Sequence, residues 1–486
     1  MTSVPLETIE ILIAYKKFEL ALPLLDEHLQ GEEASPYVLY LLAQCLREIG
    51  RAEEAISAYQ LCTLLDSNPY KSFVCLADIL RDEDRLEESL SAGRAAIECS
   101  PQSCEALASS SLTLSALERF DEAEQMASLA CRISPSYPQA WHSLALVKMY
   151  LNSYAESEAA YNVTIKLKPE WQLPRMERGM LHFMMGRLSE GVDDYEARWL
   201  IEGAPPKRHG NIQAWDCTPF EGYLLLWGEQ GIGDEIFFLG LLPAVLKLHR
   251  QVVLEIDSRL RILASRSFPN VLVVEKGSVA SLPFAIDRAL PLGSLLKELT
   301  LAGAMPTLPL GGYLKAATTS RSNLCTNSPR IGIFWRSSRV KLGRSKSVDL
   351  MSLAPLACID DSKLISLQYG DAREEIVAFR DLTGVEIDIP SFDLYSNIDI
   401  LAELISSCDL IVSIPGVPAH LANSLGVDVY VISRSPRGRL WYWNHNAQGS
   451  WFSHAYIQNS TGFENVEQLV EGAVKDIKKK RSTRTS

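Results

Sequence analysis

The residues with the clearest potential for chemistry lie in a glycine-rich stretch at 224–238, where an apolar run stops at a turn and resumes at helical spacing. This pattern predicts a strand, a tight loop and a helix. Gly231 and Gly233 let the backbone approach a ligand closely, and the carboxylates of Asp234 and Glu235 follow them. Open α/β folds bind substrates at the carboxyl ends of their strands, so we expect the chemistry here. The alternative is a strand-to-helix turn with an acidic cap and no further role.

A second group of candidates follows the first strand predicted in the last third of the chain. Its members are Arg336, Ser337, Ser338, Lys341, Arg344 and Lys346, with Gln368 at the end of the next strand. Further along, a helix predicted to begin near Pro418 offers backbone N–H groups to an anion, and His420 lies in its first turn. Together these groups could hold a phosphorylated small molecule. The alternatives are a solvated basic loop and a structural histidine.

Composition and charge limit the possible partners. The chain has 486 residues, 47% of them hydrophobic, and a formal net charge of −13. Residues 1–204 hold 32 acidic and 17 basic side chains, whereas the remainder is close to neutral. Because sustained acidity repels phosphate backbones, nucleic acid is not an expected partner. The ten cysteines form no C-x-x-C pair, and no apolar run is long enough to span a bilayer, so we expect a cytoplasmic protein without a metal site.

Small residues recur every 34 positions in the first part of the chain. One column is Ala21, Ala55, Ser89, Ala123, Ser157 and Gly191, and a second is Ala43, Ala77, Ser111, Ala145 and Gly179. Two small columns per period predict paired helices that touch at these positions. The pattern resembles the tetratricopeptide repeat over residues 2 to 204. Such an array is an α-solenoid whose concave face is open to an extended ligand, so we expect a protein partner there.

After residue 204 the period stops, and strand-like runs alternate with helical patterns. Strands are predicted at 224–227, 252–256, 271–274, 284–287, 331–335, 364–368, 385–387, 410–414 and 427–432. A break rich in Ser, Thr and Asn separates the first four from the others. The alternation predicts parallel sheets and an α/β fold. The expected domains are therefore the repeat array at 1–204 and two Rossmann-like halves at 205–325 and 326–486.

These features together resemble a known family. The array ends in Tyr-Glu-Ala-Arg-Trp at 195–199, and the glycine-rich loop at 228–234 follows it. Later motifs lie at 332–337, 366–368, 408–413 and 418–426. Their order is similar to that of bacterial repeat-containing glycosyltransferases of the GT-B fold. Those enzymes relate to the lipopolysaccharide heptosyltransferases and, by architecture, to the protein O-linked N-acetylglucosamine transferases.

The resemblance implies that a sugar moves, without a metal or resident cofactor, from a nucleotide-sugar co-substrate to a protein recruited by the array. Flagellin is the acceptor that the family's architecture suggests. Asp234 would be the base that removes the acceptor's hydroxyl proton, with Glu235 as runner-up, and His420 would assist catalysis. The implied donor-binding residues are Gly231, Gly233, Arg336, Ser337, Lys341, Arg344, Lys346, Gln368, Gly416, Pro418, Ala419 and Leu421.

The sequence departs from the family pattern just ahead of the helix that carries His420. The family usually has an aspartate and a small hydroxyl residue there, whereas this chain has Pro415 and Gly416. The loss of a polar group from the donor site leaves a second hypothesis open. In it the chain is a non-catalytic adaptor, with an array that binds a client and a degenerate transferase domain. Asp234 and His420 favour the enzyme, and Pro415 favours the adaptor.

Overall fold

The structure is a computed structural model that describes residues 4–31, 35–304, 308–317, 328–337, 343, 345–438, 440–443, 451–459 and 466–484. The chain divides into two compact units, Met1–Pro174 and Arg175–Ser486. This division precedes the predicted end of the array at residue 204, because the last repeat-type helices cluster with the second unit. The predicted border between the two halves, at 325/326, lies outside the described residues. None of the described helices is long and apolar enough to cross a membrane.

The first unit consists of paired helices. They are α1 (Leu6–Ala14), α2 (Phe18–Gly31), α3 (Pro36–Glu48), α4 (Ala52–Leu65), α5 (Tyr70–Asp82), α6 (Leu86–Cys99), α7 (Cys104–Ala116), α8 (Phe120–Ile133), α9 (Pro138–Tyr150) and α10 (Tyr154–Leu167). Pro36 and Pro138 lie in the first turns of α3 and α9, where a missing N–H breaks no helical hydrogen bond. The predicted α-solenoid is confirmed.

The two columns of small residues lie where the helices of a pair meet. Ser89 Oγ donates a hydrogen bond to the Ala77 carbonyl at 2.6 Å. Ser157 Oγ donates to the Ala145 carbonyl at 2.7 Å in the same way. All four residues are completely buried. Larger side chains would separate the paired helices, so close packing accounts for both columns.

A further 34-residue period lies in the turns between paired helices and was not predicted. Its members have positive φ angles: Lys16 at 56°, Gly50 at 80°, Asp84 at 60°, Glu118 at 63°, Asn152 at 59° and Gly186 at 74°. This left-handed region of the backbone map is strained for residues other than glycine. Because four of these positions are not glycine, the sequence gives no sign of the column.

The second unit begins within α11 (Gln172–Met184), which is followed by α12 (Leu188–Tyr195) and a 3-10 turn at Glu196–Trp199. Gly179 and Gly191 continue the two small columns here. A Cβ on Gly191 would lie 2.6 Å from the Gly179 carbonyl oxygen, so α11 and α12 are closer here than any side chain with a Cβ at position 191 would permit. The last helix pair therefore keeps the repeat geometry.

Two parallel sheets follow. The first has the order β3-β2-β1-β4, with β1 (Leu224–Trp227), β2 (Val252–Ile256), β3 (Leu272–Glu275) and β4 (Arg288–Pro291), and helices α13 (Ile232–Leu239), α14 (Leu242–Leu248), α15 (Arg261–Ser267) and α16 (Leu295–Leu301). The second has the order β10-β9-β8-β5-β6-β7, with β5 (Arg330–Phe334), β6 (Lys363–Ser366), β7 (Ile387–Asp388), β8 (Leu410–Ser413), β9 (Asp428–Ser433) and β10 (Ala455–Asn459). Its helices are α17 (Arg373–Thr383), α18 (Ile398–Ser406), α19 (Val417–Ser424) and α20 (Val466–Arg484).

Both sheets are doubly wound, which confirms the predicted α/β fold. The strand order reverses between β1 and β4 in the first sheet and between β5 and β8 in the second. A crevice forms at such a reversal because the adjacent connections leave on opposite faces of the sheet, and ligands bind there. The second unit thus has two crevices at which a ligand site is expected.

The prediction of a strand at 284–287 is wrong, because the fourth strand begins at Arg288. Phe284 stacks on the ring of Tyr223 at a centroid distance of 3.8 Å. Asp287 Oδ2 accepts a hydrogen bond from Tyr223 N at 2.8 Å. The apolar run therefore covers the amino-terminal edge of the sheet rather than joining it.

The turn column can be tested by exchanging glycine in both directions. Gly50→Ala should lower the free energy of unfolding by about 1 kcal/mol, because alanine is strained at this φ although its methyl group meets no atom within 4 Å. Glu118→Gly at the equivalent position should be neutral or stabilising by up to about 1 kcal/mol. Urea unfolding followed by circular dichroism measures both changes. Similar losses in the two variants would show that strain is not the property these turns share.

Candidate functional site

A cleft of about 300 Å³ lies at the crevice of the second sheet, beside the carboxyl ends of β5 and β8. Its lining includes many of the predicted residues: Gly231, Gly233, Asp234, Ser337, Lys346, Gly416 and His420. They come from both halves of the second unit, and some are nearly 200 positions apart in sequence. The structure thus brings the glycine-rich loop and the helix that carries His420 to one site.

Asp234 lies in the first turn of α13, on the wall contributed by the first half. Its Oδ2 accepts a hydrogen bond from Gly231 N at 3.2 Å and so caps the start of the helix. Its Oδ1 accepts a hydrogen bond from the Tyr442 hydroxyl at 2.7 Å. The carboxylate is oriented by these two donors and still lines the cleft, as a base must if it is to reach a substrate proton.

His420 lies on α19 and packs against the loop of the other half. A Cβ on Gly233 would lie only 3.1 Å from His420 Cδ2, so a side chain at position 233 would press on the imidazole. The imidazole is 2% exposed, and its Nδ1 has no hydrogen-bond partner among the described residues. Burial, and after it the positive charge of Lys346, lowers the pKa of His420 to about 3. At neutral pH the ring is therefore uncharged and can donate one N–H hydrogen bond.

The opposite wall of the cleft is suited to an anion. It includes Gly416, the N-cap of α19, and Val417, its first residue; the Val417 and Ala419 N–H groups have no acceptor within the helix, and Pro418 between them has no N–H. Lys346 and Ser337 also line the cleft. A Cβ on Gly416 would lie 2.9 Å from Phe334 Cε1, so this helix start requires glycine. A lysine, a hydroxyl and a helix N-terminus together form a phosphate-binding combination.

Glu235, the runner-up for the base, does not reach the cleft. Its carboxylate is 1% exposed, accepts a hydrogen bond from Asp257 N at 2.9 Å and pairs with Lys276 Nζ at 2.5 Å. Burial raises the pKa of Glu235. The side chain fixes the start of the segment after β2, so of the two adjacent carboxylates only that of Asp234 lines the cleft.

Arg336 and Gln368 are also engaged away from the cleft. Gln368 Oε1 accepts from Arg336 N, and Gln368 Nε2 donates to the Arg336 carbonyl, both at 2.9 Å. The Arg336 guanidinium pairs with Glu375 and donates to the Asp371 carbonyl at 2.8 Å. These contacts hold the segment after β5 in place. Pro418, Ala419 and Leu421 are buried within α19 and do not line the cleft, and Lys341, Arg344 and Ser338 lie outside the described residues.

Several residues of the cleft were not predicted. Arg259 comes from the first half, and its guanidinium lies 5.0 Å from the ring centroid of Tyr395. Asp257 holds that guanidinium with two hydrogen bonds of 2.9 Å. Tyr369 lies 5.5 Å from Tyr395, ring to ring. Such a wall of aromatic rings with a cation suits a flat polar ring such as a nucleobase.

Tyr442, the partner of Asp234, is held by an aromatic cluster. It stacks on Phe237 at 4.7 Å, with 19° between the rings. The adjacent Trp441 lies 5.4 Å from the same Phe237, and Trp443 stacks on Phe452 at 4.1 Å. The two tryptophans are therefore packing residues that fix the tyrosine between them. No local sequence pattern identifies such a residue.

Comparison with known proteins supports the repeat array. A family model for the tetratricopeptide repeat matches residues 36–69, which include the helix pair α3 and α4. Protein FlbA of Caulobacter vibrioides is 25% identical over an alignment of 283 positions that covers 53% of this chain and 47% of FlbA. The chain thus spans about half the length of that curated relative.

Solved repeat proteins are similar to part of the chain. A tetratricopeptide-repeat protein of Thermus thermophilus is 19% identical, with a TM-score of 0.32, covering 33% of this chain and 89% of its own. A tetratricopeptide-repeat protein from Parabacteroides merdae is 20% identical, with a TM-score of 0.34, covering 40% of this chain and 81% of its own. The helix pairs and the matched family model place the array in the class of repeat folds that bind proteins.

The buried neutral state of His420 makes stability depend on pH. Because the pKa is lowered on folding, the unfolded chain binds the proton first, and stability falls as the pH drops from 6.5 towards 3. In this window the wild type should lose ~1.4 kcal/mol per pH unit more than His420→Gln. Urea unfolding at several pH values between 6.5 and 4 gives the two slopes. Parallel slopes would mean that His420 is not neutral in the folded protein.

Proposed function

We propose that the chain is a glycosyltransferase of GT-B architecture that moves a sugar from a nucleotide-sugar donor to a protein acceptor. Two doubly wound halves with a cleft between them support this proposal. The resemblance of the motifs to repeat-containing transferases supports it from the sequence.

The observation that carries the proposal is the convergence of Asp234 with His420 and the start of α19 in one cleft. An oriented carboxylate lies on the wall from the first half. A phosphate-binding combination lies on the wall from the second half. Transfer between a nucleotide sugar and a hydroxyl needs both: a base at the acceptor and stabilisation of charge at the leaving group.

The reaction would proceed in one cleft without a change of oxidation state. Asp234 takes the proton of the acceptor hydroxyl while the hydroxyl oxygen of the acceptor forms a bond to the anomeric carbon. The bond from that carbon to the donor phosphate breaks, and its electron pair leaves on the nucleoside diphosphate. Lys346 and the N–H groups at the start of α19 stabilise the negative charge. The lowered pKa keeps His420 uncharged, so its ring would donate a single hydrogen bond to phosphate or sugar.

The repeat array would supply the acceptor. Residues 1–174 hold 26 acidic and 13 basic side chains, an excess of 13 negative charges that equals the formal net charge of the whole chain. Residues 175–486 hold equal numbers of acidic and basic side chains. The array therefore favours a protein surface with basic groups and repels nucleic acid. Mass spectrometry of flagellin and other candidate acceptors, co-expressed with and without this chain, tests the proposal. An added sugar mass that depends on the chain is the expected result.

Removing the proton affinity of Asp234 tests the base directly. Asp234→Asn should lower transfer ~10²–10⁴-fold, with donor affinity near that of the wild type, because the amide keeps the shape but cannot take the proton. Glu235→Gln should act on stability rather than turnover, since that carboxylate is buried against Lys276. Asp388→Asn, an exposed carboxylate outside the cleft, serves as control. Near-normal turnover of Asp234→Asn would remove Asp234 from the mechanism.

Two basic residues test whether the donor phosphate binds in the cleft, because Lys346 lines the cleft and Arg336 does not. Lys346→Met should weaken binding of a nucleoside diphosphate about 10- to 100-fold, which corresponds to one charged hydrogen bond. Arg336→Met should leave the affinity within about twofold, because its guanidinium pairs with Glu375 instead of lining the cleft. Isothermal titration calorimetry of both variants decides the matter. Loss of binding in Arg336→Met alone would place the phosphate at the sequence-predicted basic cluster.

A second function, the non-catalytic adaptor, is favoured by one observation. Pro415 and Gly416 line the cleft where the related enzymes have polar side chains. Such a chain would bind a protein through the array and a nucleotide in the cleft but make no product. Nucleotide binding together with an unmodified, array-bound partner would support the adaptor over the enzyme.

A further inference from the structure

The crevice of the first sheet is filled by the chain itself. The strand order of that sheet reverses between β1 and β4, where a doubly wound sheet would otherwise bind a ligand. Glu229, in the loop after β1, accepts a hydrogen bond from Gly293 N at 3.1 Å, in the loop after β4. A Cβ on Gly293 would overlap the Glu229 carboxylate. The crevice is therefore closed by a side chain of the glycine-rich loop.

The charge of Glu229 is balanced by a residue that follows the last repeat helix. Arg198 Nη2 lies 3.2 Å from Glu229 Oε1 and donates to Ser294 Oγ at 2.9 Å. Arg198 Nη1 pairs with Glu196. The side chains of Arg198 and Glu229 are 9% and 7% exposed. Loss of Arg198 would leave the buried Glu229 carboxylate without its cation, so the pair strongly fixes the loop.

The next loop residue is held by the same segment. Gln230 Nε2 donates a hydrogen bond to the Tyr195 hydroxyl at 2.7 Å. Gly231 then precedes α13 as its N-cap, and its N–H donates to Asp234 Oδ2. From the last repeat helix to the cleft there is thus a continuous path of contacts through two adjacent loop residues.

We propose that residues 195–199 set the position of Asp234. Arg198 and Tyr195 are positioning residues: they hold Glu229 and Gln230, and the loop in turn places the first turn of α13. The proposal rests on the proposed function only in so far as Asp234 acts on a substrate. It gives the Tyr-Glu-Ala-Arg-Trp ending of the array a direct part in the cleft, although none of its residues lines the cleft.

Variants of the full chain test the proposal. Arg198→Met removes the charge, and Tyr195→Phe removes one hydroxyl while keeping the ring that packs on Phe183 at 5.3 Å. Arg119→Met is the matched control, since it breaks an exposed arginine–glutamate pair of 2.6 Å far from the loop in sequence. Three quantities are measured: amide hydrogen exchange across residues 228–235, transfer kinetics and affinity for a nucleoside diphosphate.

We expect exchange at 228–235 to be about tenfold faster in Arg198→Met, and less accelerated in Tyr195→Phe, as one lost hydrogen bond implies. kcat should fall at least about tenfold in Arg198→Met, with nucleotide affinity within about twofold, because the phosphate-binding wall belongs to the second half. Arg119→Met should match the wild type in all three measurements.

Two results would overturn the proposal. One is unchanged exchange at 228–235 in both variants. The other is an equal rise in exchange throughout residues 175–486, which would reveal a general loss of stability instead of a local one. A wild type that transfers no sugar, while its loop still responds to Arg198→Met, would refute the proposed function and leave the positioning of the loop supported.

Discussion

The geometry of the cleft depends on the buried ion pair between Arg198 and Glu229. Removing two charges from water carries a penalty of several kcal/mol for each, which only good geometry and further hydrogen bonds can offset. Here Ser294 and Gly293 supply those bonds. Because any displaced loop would strand a charge, the segment after β1 has a single favourable position. Because Asp234 follows this segment directly, the same contacts set its position.

The loop is also held from its other end, and the two halves are tied together around it. Arg208 Nη2 donates to the Gly228 carbonyl at 2.8 Å, so the first loop residue is fixed as well. Arg266 forms two hydrogen bonds with Asp399 across the halves, at 2.8 and 2.6 Å. The Tyr313 hydroxyl donates to the Ile236 carbonyl at 2.8 Å, while its N–H donates to the Ser424 carbonyl at 2.7 Å. These contacts keep the two walls of the cleft in register.

The fold was largely predictable because it follows from periodic packing. Small residues every 34 positions indicate where paired helices touch, and short apolar runs indicate buried strands. The left-handed turns were not predictable, since Lys16 and Glu118 give no sign of the backbone that they adopt. The strand at Arg288 was missed because the preceding apolar run packs at the edge of the sheet, a tertiary contact that outweighs local pattern.

The candidate site was predictable only where a motif places its residues. Gly233 and His420 belong to recognisable loops at strand ends, and the structure brings them together. Tyr442 and Arg259 reach the cleft through packing and ion pairing that no short pattern encodes. Asp234 and Glu235 are adjacent and chemically alike, yet the helix directs Asp234 to the cleft and buries Glu235 against Lys276.

The division of the chain at Pro174 bears on how such proteins exchange parts. Arrays can lengthen or shorten by whole 34-residue increments, but the final pair carries the partners of Glu229 and Gln230, so it must be inherited with the α/β unit. A recombinant or designed chimaera should therefore be joined upstream of residue 175, and not at the compositional break near residue 204.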